Sequence, residues 1–452
     1  MKTFKKILLI CSYALVAAII AGGTLLLVSY GQGRSYDFKT HKFVSNGLLI
    51  LGTTPSGARL TIGDKLTRRT TPYRSTYRVG QYDIKLTKDG YRPWSKRVNI
   101  VASEVVNLAL IIMVPEKLQK ETVASALDVS SIVASSDHKH VAAITAGEKP
   151  GLWRLTADRA TAEKIYTPGD GQQIQSGTLS RDGSRALLKV QYPDGVRQLY
   201  IDMGNGNVQD LSSDFKVALD DVRFSFSDSN RLYWLSGDGL RRIDVNSKTL
   251  SAVLADKVVN YTYDNDRVIY IQSAKVGKVI AVMDADGRNQ KTLVEGVAES
   301  PNYLLSYASF RDKDDLAVVP TVTGQLTVYE SIYSDNVVSR TVTRDVNKVL
   351  PSDDGHYFVF AHSQGFGSYD IGRAKIYDGL YKDKVDAISW FNGAHVIVNS
   401  GDKTRLVEFD GGNSTDLGTS SLGIPSVGMH DQRRVLYVDA KSKQVIVTDL
   451  KK

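Results

Sequence analysis

The chain opens on a run with no polar rhythm. Ile7 to Tyr30 is 24 residues without a charge, just behind Lys2, Lys5 and Lys6. As a helix such a run spans about 36 Å, against a hydrocarbon core of about 30 Å. It also exceeds the roughly 7–15 residues of a signal-peptide core, and Leu27-Val28-Ser29-Tyr30 is too bulky for a cleavage site. Residues 1–30 therefore predict an uncleaved signal anchor, followed by a linker over 31–46. From Gly47 the period becomes two. Tyr82, Ile84 and Leu86 alternate with polar neighbours, as do Val98 and Ile100, then Val106, Leu108, Leu110 and Ile112. Pro55-Ser56-Gly57, Gly63-Asp64, Gly80 and Asp89-Gly90 supply turns between the runs. This pattern predicts a small antiparallel β-sandwich of five to six strands over residues 47–115.

Residues 116–452 repeat one phrase: a polar turn, often Ser-x-Asp, then an apolar strand. It stands as VASSDHKHVAAIT from Val133, LSRDGSRALLKV from Leu179, FSFSDSNRLYWLS from Phe224 and YTYDNDRVIYIQS from Tyr261. It continues from Ala308, Leu350, Ile388 and Val427, an average step of about 42 residues. A second phrase follows most copies, a strand ending in Asp before another polar turn, as in IAVMDADGRNQKTLV from Ile280. Four strands per unit at this period predict a β-propeller. Eight copies predict eight blades, or seven if the degenerate unit near Ala308 is an insertion. The eighth copy runs out before a fourth strand, while residues 118–127 form an orphan strand ahead of the first. That orphan is expected to complete the last blade and remove the exposed edge.

Two resemblances follow from these residues. Gly47-Leu48-Leu49-Ile50, Thr54-Pro55-Ser56-Gly57-Ala58, Ile62-Gly63-Asp64, Thr71-Pro72, Val79-Gly80-Gln81-Tyr82 and Gly90-Tyr91-Arg92-Pro93-Trp94 come in the order found in PEGA domains. Ser56 stands where that family has Glu. The resemblance implies an extracytoplasmic accessory module without chemistry of its own. The later repeats resemble the Ser/Pro-Asp-Gly repeats of TolB-like propellers, with LSRDGSRALLKV nearest to the pattern. Gly57 is expected to supply a positive φ, and Tyr91 and Trp94 to plug the core.

Charge sharpens this picture. The chain carries +8, but residues 1–115 hold 17 Lys and Arg against 5 Asp and Glu, leaving 40 against 44 beyond. A basic N-terminal quarter points to a local anionic partner, a membrane surface or wall polymer, rather than to nucleic acid. Arg68, Arg69, Arg74 and Arg78, with Lys96 and Arg97, are the candidate contacts. The single cysteine, Cys11, excludes an intrachain disulfide and Cys-paired zinc sites. No catalytic motif is present: no His-Glu-x-x-His, Walker loop or Gly-x-Ser-x-Gly. Asp137-His138-Lys139-His140, and Asp284 to Asn289 with Glu295, resemble fragments of metal sites but read as turns. No cofactor or metal is expected. The sequence thus points to a binding or scaffold protein on the bacterial cytoplasmic membrane, N-terminus inside, with a protein or cell-wall glycan partner. A propeller hydrolase or lyase with a channel-centred site is the alternative.

Overall fold

The computed structural model describes residues 2–31, 34–37, 42–124, 127–265, 267–429 and 431–451. They divide into two compact units, Met1–Lys117 and Leu118–Lys452. Parts of the linker read over 31–46, and residues 125 and 126 of the orphan strand, lie outside the described residues.

The first unit begins with helix α1 (Lys2–Gly31). Within it, Ser12–Ser29 is apolar and long enough to cross a membrane, with none of that window buried. The chain soon enters β1 (Arg34–Asp37), which folds back on β2 (Lys42–Thr54), pairing Arg34 with Ser45. Six more strands follow: β3 (Arg59–Ile62), β4 (Lys65–Thr70), β5 (Tyr73–Arg78), β6 (Gly80–Thr87), β7 (Trp94–Ile100) and β8 (Val105–Ile112). They make two sheets. One has the order β1-β2-β5 with β8 also on β2, and the other has the order β4-β3-β6-β7. Leu49 and Leu51 from the first sheet share a core with Leu60, Ile84, Leu86, Trp94, Val98 and Ile100 from the second. Tyr91 is buried in the same core.

Seven strands, β2 to β8, reach into residues 47–115, where five to six are expected. The small domain is not wholly antiparallel, because β8 pairs with β2 in parallel, from Leu48 opposite Val105 to Thr54 opposite Ile112. Alternation has the same period in either direction, so the pattern alone could not reveal this. Gly52 records only how close β8 comes, not its direction. A Cβ on Gly52 would come within 2.6 Å of the Ala109 carbonyl on β8. The Pro-Ser-Gly-Ala turn is held from behind. Gly57 has φ +84°, its N–H donates to the Thr71 carbonyl at 2.8 Å, and the Ala58 N–H donates to Thr71 Oγ1 at 3.0 Å.

The second unit is a succession of four-stranded antiparallel sheets. Seven use consecutive strands, spanning 129–166, 173–210, 221–256, 258–297, 303–343, 346–381 and 387–419. The third adds a short fifth strand, Ala255–Asp256. The region near Ala308 is a regular sheet, not an insertion. The eighth sheet combines Val427–Gly428, Arg434–Val438 and Val445–Asp449 with β9 (Gln119–Ala124), in which Asp449 pairs with Gln119. Its last strand thus comes from the start of the unit. Apolar clusters lie between consecutive sheets. Tyr233 and Leu240 pack with Tyr261, Val268 and Tyr270, while Val129, Val141 and Leu155 of the first sheet pack with Leu436, Val445 and Val447 of the eighth. Second strands are therefore covered on both faces and read as apolar runs such as Val141–Thr145, buried throughout.

Candidate binding surfaces

The first strands of successive sheets are stitched side chain to backbone. Arg223 Nη1 donates to the Tyr261 carbonyl at 2.9 Å, and Asn260 Nδ2 to the Tyr303 carbonyl at 2.5 Å. Ser306 Oγ donates to the Val349 carbonyl at 2.9 Å, Lys348 Nζ to the Ile388 carbonyl at 3.0 Å, and Ser389 Oγ to the Ser426 carbonyl at 2.9 Å. Five different donors thus do one job: each satisfies a carbonyl on the neighbouring sheet or on the segment leading into it. Their charged members have structural work. Arg223 also forks onto Asp221, at 2.8 and 2.6 Å, and burial pushes the Lys348 amine below its usual range.

The turns between first and second strands form the second feature. Ser135, Ser180 and Ser352 each donate to an Asp two residues on, at 2.5, 2.6 and 2.7 Å. Each serine also accepts from a backbone N–H five residues on, at 3.0, 3.0 and 2.9 Å. The repeated Ser-x-Asp is therefore a turn lock. Neighbouring turns touch: Asp137 N–H donates to the Arg181 carbonyl at 3.3 Å, and Phe310 stacks on His356 at 4.0 Å. His138 joins three sheets, with Nδ1 at 3.2 Å from the Gly428 carbonyl and Nε2 at 3.5 Å from Asp353.

At the opposite strand ends, loop tips carry exposed apolar side chains. Val276 (88% exposed) and Val322 (70%) sit between second and third strands of the fourth and fifth sheets. Leu422 (73%) lies in the connection from the seventh sheet to the eighth. Strand alternation puts these tips at the end away from the Ser-x-Asp turns. A shallow hollow of about 300 Å³ beside Arg197 and Lys216 also lies in this unit. Its guanidinium is committed to Asp194 at 2.6 Å and Asp210 at 3.0 Å.

The fragments resembling metal sites are turns. Asp284 accepts from Asn289 Nδ2 at 2.6 Å, and Glu295 is exposed on the following strand. Among the described residues no three His, Cys, Asp or Glu side chains gather as a metal site. One acid stands out. Asp315 is wholly buried, its Oδ1 accepts the Ser331 N–H at 2.9 Å, and Oδ2 has no partner. Burial pushes its carboxyl up to about 6.

The basic residues singled out in the first unit are dispersed over several strands. Arg68 and Arg69 are exposed on β4, an edge of the second sheet. Arg74 and Arg78 are exposed on β5, an edge of the first. Half-buried Lys96 and exposed Arg97 lie on β7, where Arg97 grips Asp83 at 2.7 Å. Sequence reasoning did not identify the first-strand donors. They recur near the repeat period but share no residue type, so no motif marks them.

Comparison with known proteins agrees with both units. Residues 46–113 match the PEGA domain. No curated protein matches the chain in sequence. Among solved structures it is similar to the C-terminal WD40 domain of Sif2, at 11% identity and a TM-score of 0.50, covering 74% of this chain and 99% of that one. It is also similar to the Dos1 propeller, at 12% identity and a TM-score of 0.49, covering 74% and 95%. An oligogalacturonate lyase in complex with manganese follows, at 12% identity and a TM-score of 0.42, covering 74% and 97%. The Sif2 likeness shows a β-propeller, and at such identity it shows the fold alone.

Proposed function

We propose that the protein is a membrane-anchored binding or scaffold protein of the bacterial envelope. α1 is its anchor, with the N-terminus inside and both units outside. The PEGA-like unit, a two-sheet sandwich, is a membrane-proximal module. The eight sheets are blades of one ring, with β9 as the outer strand of the last. The face carrying Val276, Val322 and Leu422 receives a protein or glycan partner, since exposed apolar loop tips on a soluble face suit recognition. The observation that carries a binding role over a catalytic one is the use of first-strand polar groups. Arg223, Asn260, Ser306, Lys348 and Ser389 are engaged with neighbouring carbonyls rather than gathered around a reacting centre.

Site-directed photo-crosslinking in intact cells tests this. A benzophenone amino acid at Val276, Val322 or Leu422 should give discrete adducts. The same residue at Arg288 or Asn205, which lie in exposed turns between third and fourth strands at the other end of the sheets, should not. Adducts at none of the three apolar tips would contradict the proposed face.

A further inference from the structure

The first unit has an apolar rim at the end nearest α1. The β1–β2 register puts Arg34, three residues beyond Gly31, opposite Ser45. Three residues can reach no further than about 10 Å, so with one strand spacing Ser45, in the first half of β2, lies within about 15 Å of the helix terminus. Three exposed valines surround that same end. Val79 is 49% exposed and donates its N–H to the Ser45 carbonyl at 3.1 Å. Val101 is 37% exposed, and its carbonyl would lie 2.4 Å from a Cβ on Gly47. Val105 is 42% exposed and pairs with Leu48.

The outer face of the first sheet continues the rim. Leu49 and Leu51 point into the core, so Leu48 and Ile50 point away from it, and both are half-buried. A strand with one face on a core and one in water alternates apolar with polar. β2 is apolar on both faces. Arg74 pairs with Ile50 and Arg78 with Asn46, so both guanidiniums rise from this outer face.

We infer that this rim is a membrane-docking edge: Val79, Val101 and Val105 seat in the headgroup layer of an anionic bilayer, with Arg74 and Arg78 against lipid phosphates. The inference rests on the reading of α1 as a spanning anchor. Lipid is favoured as the occupant because the hairpin register holds this end beside the point where α1 meets the bilayer surface. A basic, apolar-tipped edge also matches the chemistry of an anionic interface.

The test uses the full chain, with Cys11→Ser, reconstituted in vesicles of phosphatidylcholine and phosphatidylglycerol. Single cysteines replace Val79, Val105, Ile19 or Ser56 and carry an environment-sensitive dye. Ser56 is exposed in the turn beyond the opposite end of β2. Quenching by lipid carrying a spin label near the headgroup should be at least twofold stronger at Val79 and Val105 than at Ser56. A chain-labelled lipid should quench Ile19. Arg74→Glu with Arg78→Glu should at least halve the quenching at Val79. If Ile19 is quenched while Val79 and Val105 match Ser56, the docking edge is overturned and the anchor stands. If Ile19 is not quenched, the anchor reading fails and takes the docking edge with it. Dyes at Val79 and Val105 that are shielded from water but not quenched by lipid would mean a protein cover, which also overturns the inference. Unchanged quenching in the double Glu variant would remove the arginine–phosphate contact.

Discussion

The two units cover their sheets in different ways. In the PEGA-like unit two sheets share one core, so each sheet has an inside and an outside. In the propeller, sheets are packed against neighbours on either side, and the clusters lie between them. The consequence shows in the strands. Propeller second strands such as His395–Ser400 are buried almost without break, whereas β6 of the small unit alternates. β2 breaks the small unit's rule, being apolar on the face that no sheet covers. The comparison also predicts different failures. A unit with one core should be lost whole, and a ring of interfaces should be most sensitive where its ends are joined.

That contrast can be broken most sharply at the join. Deleting Leu118–Leu127 removes β9 with buried Val123 and Leu127 from the cluster shared by the first and eighth sheets. The propeller's melting temperature should fall by about 10 °C or more. An unchanged transition would mean that β9 does not hold the ring together. Trp94→Ala comes next. It empties a core site that is 5% exposed and should cost about 3–5 kcal/mol, close to the whole stability of so small a unit. Calorimetry should show the small unit's transition lost and the propeller's in place. A shift in both would mean that the units do not melt separately.

Within the propeller, Asp315 tests a smaller effect. Its carboxyl is held at about 6 against an ordinary 3.8, so the native state binds the proton more tightly than the unfolded chain. That contribution is fully present below about pH 4 and is lost as pH rises through about 6. Asp315→Asn stays neutral and keeps an acceptor for the Ser331 N–H. It should stabilise by roughly 3 kcal/mol at pH 7.5 and by about 0.5 kcal/mol at pH 4, read from melting temperatures across that range. Equal effects at both ends would remove burial of charge as the cause. The smallest change is Ser306→Ala, which strips the Val349 carbonyl of its inter-sheet donor and should cost about 1 kcal/mol.

What was legible in the sequence was what has a period or a fixed backbone demand. The charge-free run gave α1, the alternation gave the small unit's strands, and Gly57 adopts the positive φ its turn requires. The Ser-x-Asp phrase marked the sheet-opening turns because its hydroxyl and carboxylate lock the same hydrogen bonds each time. Strand direction left no mark, so the parallel β2–β8 pair was missed. Proximity in sequence also misled. Arg68 and Arg74 look like neighbours on one loop, yet β4 and β5 belong to different sheets. The first-strand donors were invisible because serine, asparagine, lysine and arginine meet the same carbonyl demand. The valine rim was invisible because Val79, Val101 and Val105 meet only through the pairing of β2 with its neighbours.

If α1 is the anchor proposed above, both units lie on the outer side of the membrane, and sided proteolysis reads that orientation. In intact spheroplasts an added protease should degrade the PEGA-like unit and the propeller, leaving a protected fragment that contains α1, and in inside-out vesicles both units should survive. Survival in spheroplasts with degradation in inside-out vesicles would contradict the account.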